Sequence, residues 1–186
     1  LSHSHIDHCG NIPNLVKRGF NSPIFVTPSA GDLTEIMLRD SAHIQEPDAE
    51  FVNKKRKARG EEPIEPLYTK ADAERVDEQF RYVPYRQEFE PVPGVSAKFA
   101  DAGHILGSAG LSLVLNEKGR KVRFWFSGDI GRRKLPILRD PVLPDEVDYL
   151  LMESTYGDKP HRDPQMAYEE FRAVVKRTSE RGGKVI

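Results

Sequence analysis

A mixed α/β layered domain is the fold class that this sequence predicts, and three observations predict it. Segments with helical spacing and segments with strand alternation succeed each other along the chain, with no internal repeat and no low-complexity linker. Two of the alternating segments, 110–115 and 121–127, flank the turn Glu117-Lys118-Gly119 and read as an antiparallel hairpin. The length, 186 residues, suits one domain with a real core rather than two.

Taken in order, Asn11 to Arg18 suits a short helix stopped by Gly19. Ile24-Phe25-Val26 is a short buried strand. Ser29 is placed to cap a helix running through Leu33, Ile36 and Met37, and helical character continues past Pro47 to about Ala58. Thr69 to Phe80, rich in Ala, Asp and Glu, is a further helix. Val95 to Ala100, Gly110 to Leu115 and Lys121 to Ser127 are strands. In the last of these Val122, Phe124 and Phe126 share one face, while Trp125 points to the other and is expected under a helix. Residues 134–147 carry three prolines and read as a loop. Asp148 to Glu153 is one more strand, and Asp163 to Arg181 is an amphipathic helix with Phe171, Val174 and Val175 toward the core.

Composition narrows the class of protein. Hydrophobic residues are 38% and charged residues 31%, which fits a soluble, ordered chain. The net charge is −1, so any nucleic-acid contact has to come from a local patch. The single cysteine, Cys9, excludes an internal disulfide and suggests a cytoplasmic setting. No apolar run approaches a membrane span, so no membrane partner is expected. The chain opens on Leu1-Ser2-His3 and closes on Gly182-Gly183-Lys184-Val185-Ile186, a turn leading into a strand. It is therefore read as an internal fragment.

The chemistry is concentrated in His3-Ser4-His5-Ile6-Asp7-His8. Neutral imidazole and carboxylate are first-choice ligands for zinc and related ions. On a strand-to-loop segment His3 and His5 point to one side and are able to share an ion, with Asp7 and His8 one step further round. One loop does not complete a site. His104 lies in the Gly-flanked stretch 101–109 between two strands, and Asp129 sits between Gly128 and Gly131 at a strand end. Taken singly, His104 is equally a loop histidine, and a lone Asp in the place of Asp129 is more often a turn-former.

Together these motifs resemble the metallo-β-lactamase superfamily. The segments His104-Ile105-Leu106-Gly107-Ser108-Ala109, Phe126-Ser127-Gly128-Asp129-Ile130-Gly131 and Glu153-Ser154-Thr155-Tyr156-Gly157 are similar to one branch of it, the β-CASP nucleases. That branch includes bacterial and archaeal RNA endonucleases and the mRNA 3′-end cleavage and polyadenylation endonuclease. The helical stretch between Ser29 and Phe80 fits the branch as well. The resemblance implies a partial αββα sandwich, with upstream strands and a downstream β-CASP domain outside residues 1–186. It implies that His3, His5 and His104 hold a first metal, Asp7 and His8 a second, and Asp129 bridges them. It further implies that Glu153 orients a catalytic histidine further along the chain.

The expected activity is a two-zinc phosphodiesterase cleaving single-stranded RNA, with Asp7, Asp129 and Glu153 as the acidic catalytic set. Mn or Fe is an alternative metal for such donors, and the full-length protein has room for a homodimer. The competing readings are a small ester, thioester or lactam hydrolase, and a non-catalytic scaffold of an RNA-processing complex. His161 and Arg162 are weaker candidates for substrate phosphate, and the basic run 54–59 reads mainly as a solvated helix end. Cys9 reads as a small buried filler.

Overall fold

The computed structural model describes residues 1–160 and 162–186, so the expectation for His161 lies outside the described residues. The chain divides into two units, Leu1–Glu153 and Ser154–Ile186. Among the described residues the first holds four helices and seven strands, and the second holds one helix.

The helical layer of the first unit is built from α1 (Ile6–Cys9), α2 (Ile12–Lys17), α3 (Pro28–Ala58) and α4 (Lys70–Asp77). Pro28 occupies the first turn of α3, where a missing N–H costs nothing and the fixed φ is already helical. The helix therefore starts before Ser29, the cap expected from sequence, and Thr27 takes the N-cap position. α3 buries Ala30, Thr34, Leu38 and Ala42, a stripe at every fourth residue that is narrow enough for close approach. Tyr68 is fully buried and its hydroxyl donates to Ser41 Oγ at 2.8 Å. Thr69 and Asp72 then form a reciprocal capping box at the start of α4.

Two sheets follow. β1 (Ile24–Val26) pairs in parallel with β2 (Phe80–Tyr82). The sequence reading carries α4 through Phe80, but α4 ends at Asp77 and Phe80 pairs with Ile24. A three-residue strand is too short to declare itself by alternation, and its partner lies more than fifty positions away. The second sheet has the order β3-β4-β5-β6-β7, from β3 (Glu88–Val92), β4 (Val95–Asp101), β5 (Ala109–Glu117), β6 (Arg120–Phe126) and β7 (Tyr149–Leu151). β3, to which the sequence reading assigns no element, carries Pro91 and two glutamates; at the sheet edge a proline is tolerated.

The period of two along β1 joins the layers. Ile24 and Val26 pack with the helices, and Phe25 points the other way to stack on Phe89 with ring centroids 4.8 Å apart. Phe89 in turn meets Phe99 at 5.3 Å. The first unit is thus helices, then a two-stranded sheet, then a five-stranded sheet, the mixed α/β class expected. Trp125 is buried on the opposite face from Phe124 and Phe126, where Gly110 leaves room for its ring. The cleft on that face, about 590 Å³, is lined by loop residues 142–147 rather than by a helix.

In the second unit α5 (Pro164–Glu180) is capped by Asp163, whose carboxylate accepts from Gln165 N and Met166 N. Phe171 and Val175, expected to face a core, are 61% and 38% exposed, and Thr178 is the buried residue of this helix.

Candidate metal centre

The first five residues are held where the two sheets meet. The Leu1 backbone nitrogen donates to Phe25 O of β1 (2.8 Å), and Ala109 N of β5 donates to Ser2 O (2.8 Å). His3 is thereby fixed between the sheets and is almost completely buried. His5 ends this extended stretch as the N-cap of α1, its carbonyl accepting from His8 N and Cys9 N. Asp7 and His8 therefore sit on a helical turn, which separates neighbours by about 100°. His8 turns inward while the Asp7 side chain is 75% exposed.

His104 comes from the turn between β4 and β5. Ser108 Oγ accepts from His104 N (3.0 Å) and Ile105 N (3.2 Å), and Thr27 Oγ1 donates to Gly107 O (2.6 Å). Asp129 follows β6. Its loop is pressed against the His104 turn so closely that Gly131 N donates to Ala102 O (2.8 Å), and a Cβ on Gly131 would stand 1.7 Å from Gly103 O. Glu153, just after β7, reaches back to the same loop. Its Oε1 accepts from Ile130 N at 2.7 Å, and its own N–H donates to Ser127 Oγ at 3.2 Å.

Four side chains converge. His3, His5, His104 and Asp129 each place one ligand atom within 4.8 Å of all the others. His5 Nδ1 lies 3.1 Å from both His3 Nε2 and His104 Nε2, and Asp129 Oδ2 lies 3.6 Å and 3.5 Å from those same two nitrogens. The other carboxylate oxygen, Asp129 Oδ1, faces His8 Nε2 at 3.2 Å. Asp7 Oδ2 approaches that same His8 nitrogen at 3.5 Å. The donors fall into two groups with Asp129 common to both.

Electrostatics favour the neutral, lone-pair-bearing form of His3 and His104. Burial first, then repulsion from His8, His5 and His104, pushes the His3 pKa down to about 3. Burial also lowers that of His104, with Asp129 opposing. Four mutually facing polar side chains without a cation have few ways to share protons; one shared cation satisfies them together. The donor set fits a divalent ion on these grounds. Cys9 is fully buried, its thiol donates to Ser4 O, and burial pushes its pKa up to about 11; it stands outside the four converging donors.

The structure thus brings His3, His5, His104 and Asp129 together, adds His8 on the far side of Asp129, and leaves Asp7 at the exposed rim. Glu153 contacts the Asp129 loop through the backbone of Ile130. Arg162 lies in the second unit, where it pairs with Glu170 at 2.6 Å. Ser108, which fixes the His104 backbone, carries no sequence signal beyond its place in the turn.

No family model matches the chain. It is 33% identical along its whole length to Ribonuclease TTHA0252 of Thermus thermophilus, covering 38% of that protein. It is 28% identical to the Transcription termination factor FttA of Methanocaldococcus jannaschii, again over all of this chain and 27% of the relative. The same holds for Cleavage and polyadenylation specificity factor 73 of Drosophila melanogaster, at 28% identity over all of this chain and 25% of that protein. Over its whole length the chain is similar to proteins of the β-CASP branch of the metallo-β-lactamase superfamily. The chain spans between a quarter and two fifths of the length of these three relatives. Among its described residues no helix is long and apolar enough to cross a membrane.

Proposed function

We propose that this chain carries the metal-binding half of a two-metal phosphodiesterase that cuts single-stranded RNA internally. The observation that carries the reading is the split of Asp129, with Oδ2 toward His3 and His104 and Oδ1 toward His8. The name ribonuclease, borne by the Thermus relative, supports RNA as the substrate.

In this reading His3, His5, His104 and Asp129 Oδ2 hold one ion, and His8, Asp7 and Asp129 Oδ1 hold the other. Zinc is the preferred metal, because imidazole and carboxylate donors without thiolate suit it, though Mn²⁺ and Fe²⁺ accept the same donors. Two such ions supply Lewis acidity for the phosphate and a nucleophile available at neutral pH. The protein's own contribution is positional. Asp129 spans the two donor groups and fixes their separation. Burial keeps His3 neutral, so its donor nitrogen is ready without losing a proton. The exposed rim at Asp7 leaves that side open, as a reacting group needs, whereas a structural site closes. Glu153 belongs to the catalytic set as the residue that holds the Asp129 loop, whatever partner it has further along the chain.

The test is cleavage of end-labelled single-stranded RNA by the full-length protein, beside an equal DNA strand, with and without chelator and with Asp129→Ala. Internal cuts in RNA that vanish with chelator and with the substitution are expected. A protein that binds two ions yet cuts neither polymer would move the reading to a small-ester hydrolase or a scaffold.

A further inference from the structure

The chain has two strongly basic runs, and the structure separates them. One is Lys54-Lys55-Arg56-Lys57-Ala58-Arg59, at the far end of α3. α3 begins beside the His104 turn, where a Cβ on Gly107 would meet Ala30, and at about 1.5 Å per residue its basic end lies roughly 40 Å along the axis. In that run Arg56 is spent on Glu61 at 3.0 Å, and Lys55 lies over the Phe51 ring at 4.3 Å.

The second run is Arg132-Arg133-Lys134, joined by Arg139, on the loop that leaves Asp129. Both ends of this loop are pinned to the His104 turn. Gly131 N donates to Ala102 O, Val142 N donates to Asp101 O, and a Cβ on Gly103 would press on Arg139 O and Pro141. The loop is closed on itself by Lys134 N, which donates to Asp140 Oδ1 at 2.7 Å. That bond occupies an oxygen of Asp140, the one carboxylate between residues 132 and 141. Arg132, Arg133, Lys134 and Arg139 are all exposed, and among the described residues none of their side chains makes a salt bridge or hydrogen bond. Lys134 and Ile137 adopt left-handed φ values of 61° and 73°, conformations that non-glycine residues take only when the surroundings hold them. A chain of net charge −1 has thus placed four unspent cations on one short loop anchored at the donor cluster.

We infer that this loop grips the phosphate backbone of the RNA strand flanking the scissile bond. The inference rests on the RNA-cleaving reading above and adds where the strand is held. Backbone contacts of this kind set register and affinity without reading sequence, and they release counterions. The loop is therefore a salt-dependent grip, and the α3 end is solvated surface.

Binding of a fluorescent single-stranded oligoribonucleotide to the full-length protein tests this, measured in chelator so that no turnover occurs. One variant neutralises the loop (R132Q, R133Q, K134Q and R139Q together). A second neutralises the α3 end (K54Q, K55Q, K57Q and R59Q), and a third keeps the loop charge (R132K, R133K and R139K). The loop variant is expected to bind about tenfold or more weakly, and its slope of log affinity against log salt should drop by about 0.7 per lost phosphate contact. The lysine variant should stay within about threefold of wild type, and the α3 variant should retain the wild-type slope. An unchanged slope in the loop variant, an equal loss in the α3 variant, or no RNA binding by wild type overturns the inference. Failure of the metal-loaded wild type to cut RNA would sink the functional reading separately, because the binding comparison involves no cleavage.

Discussion

Asp129 and His8 face each other at 3.2 Å through the carboxylate oxygen turned away from His104, whose imidazole stands 3.5 Å from the other oxygen. One side chain therefore belongs to two donor groups. Losses in either group should be separable, and losses at Asp129 should not.

His8→Ala is predicted to remove one ion and leave the other, because His3, His5 and His104 still surround Asp129 Oδ2. RNA cleavage should fall by about 100-fold or more, since a two-metal clamp works only as a pair. His104→Ala should empty the other position. Metal content per chain by mass spectrometry, alongside cleavage rate, checks both; loss of both ions in His8→Ala would show that the groups are not independent.

Glu153 accepts from Ile130 N and so holds the residue beside Asp129. Glu153→Gln keeps an acceptor oxygen and should preserve metal content and fold. Glu153→Ala leaves a part-buried N–H without its partner, at a cost of about 1–3 kcal/mol, and should loosen the ion shared with His8. Thermal melts and metal titration distinguish the two. Equal metal loss in both variants would mean that the charge, not the hydrogen bond, matters.

Gly131→Ala should be among the most damaging loop substitutions. Its Cβ has no room against Gly103 O, and the resulting shift pulls the Asp129 and His104 loops apart together. A stability loss of about 2–4 kcal/mol with weakened metal binding is expected in denaturant titrations. A variant with wild-type stability would contradict the close contact.

Much of the candidate site is legible in the sequence, because side chains able to hold a metal differ in chemistry from their surroundings and gather in short motifs. The segment 3–8, His104 and Asp129 announce themselves in that way. What a linear reading cannot supply is which side chain stands between which others. That His8 and Asp7 sit on a helical turn, so that only His8 points inward, depends on α1, which is too short to leave a periodic signature. Glu153 is readable only as an acid at a strand end until β6 and β7 pair in parallel and bring it to Ile130. The fold shows the same division. α3 carries through Pro47 as its pattern predicts, whereas β2 and β3 exist through partners distant in sequence or at a sheet edge.

Acid should destabilise the metal-free protein in a defined window. The His3 pKa is about 3 in the folded state, against an ordinary value near 6.5 once unfolded. Between those values the unfolded chain binds a proton that the folded chain refuses. Stability is therefore fully present above about pH 6.5 and declines as pH falls toward 3, by up to about 1.4 kcal/mol per pH unit from this one group. Denaturant midpoints in chelator across that range, with His3→Gln as the flattened comparison, measure it. Identical slopes would remove His3 as the cause.

The central claim is that Asp129 joins two metal positions, and counting ions tests it most directly. The full-length protein, equilibrated with zinc and freed of excess, is weighed by native mass spectrometry as wild type and as Asp129→Ala. Two ions per wild-type chain and at most one in the variant are predicted. One ion in the wild type, or two retained in Asp129→Ala, would contradict the account.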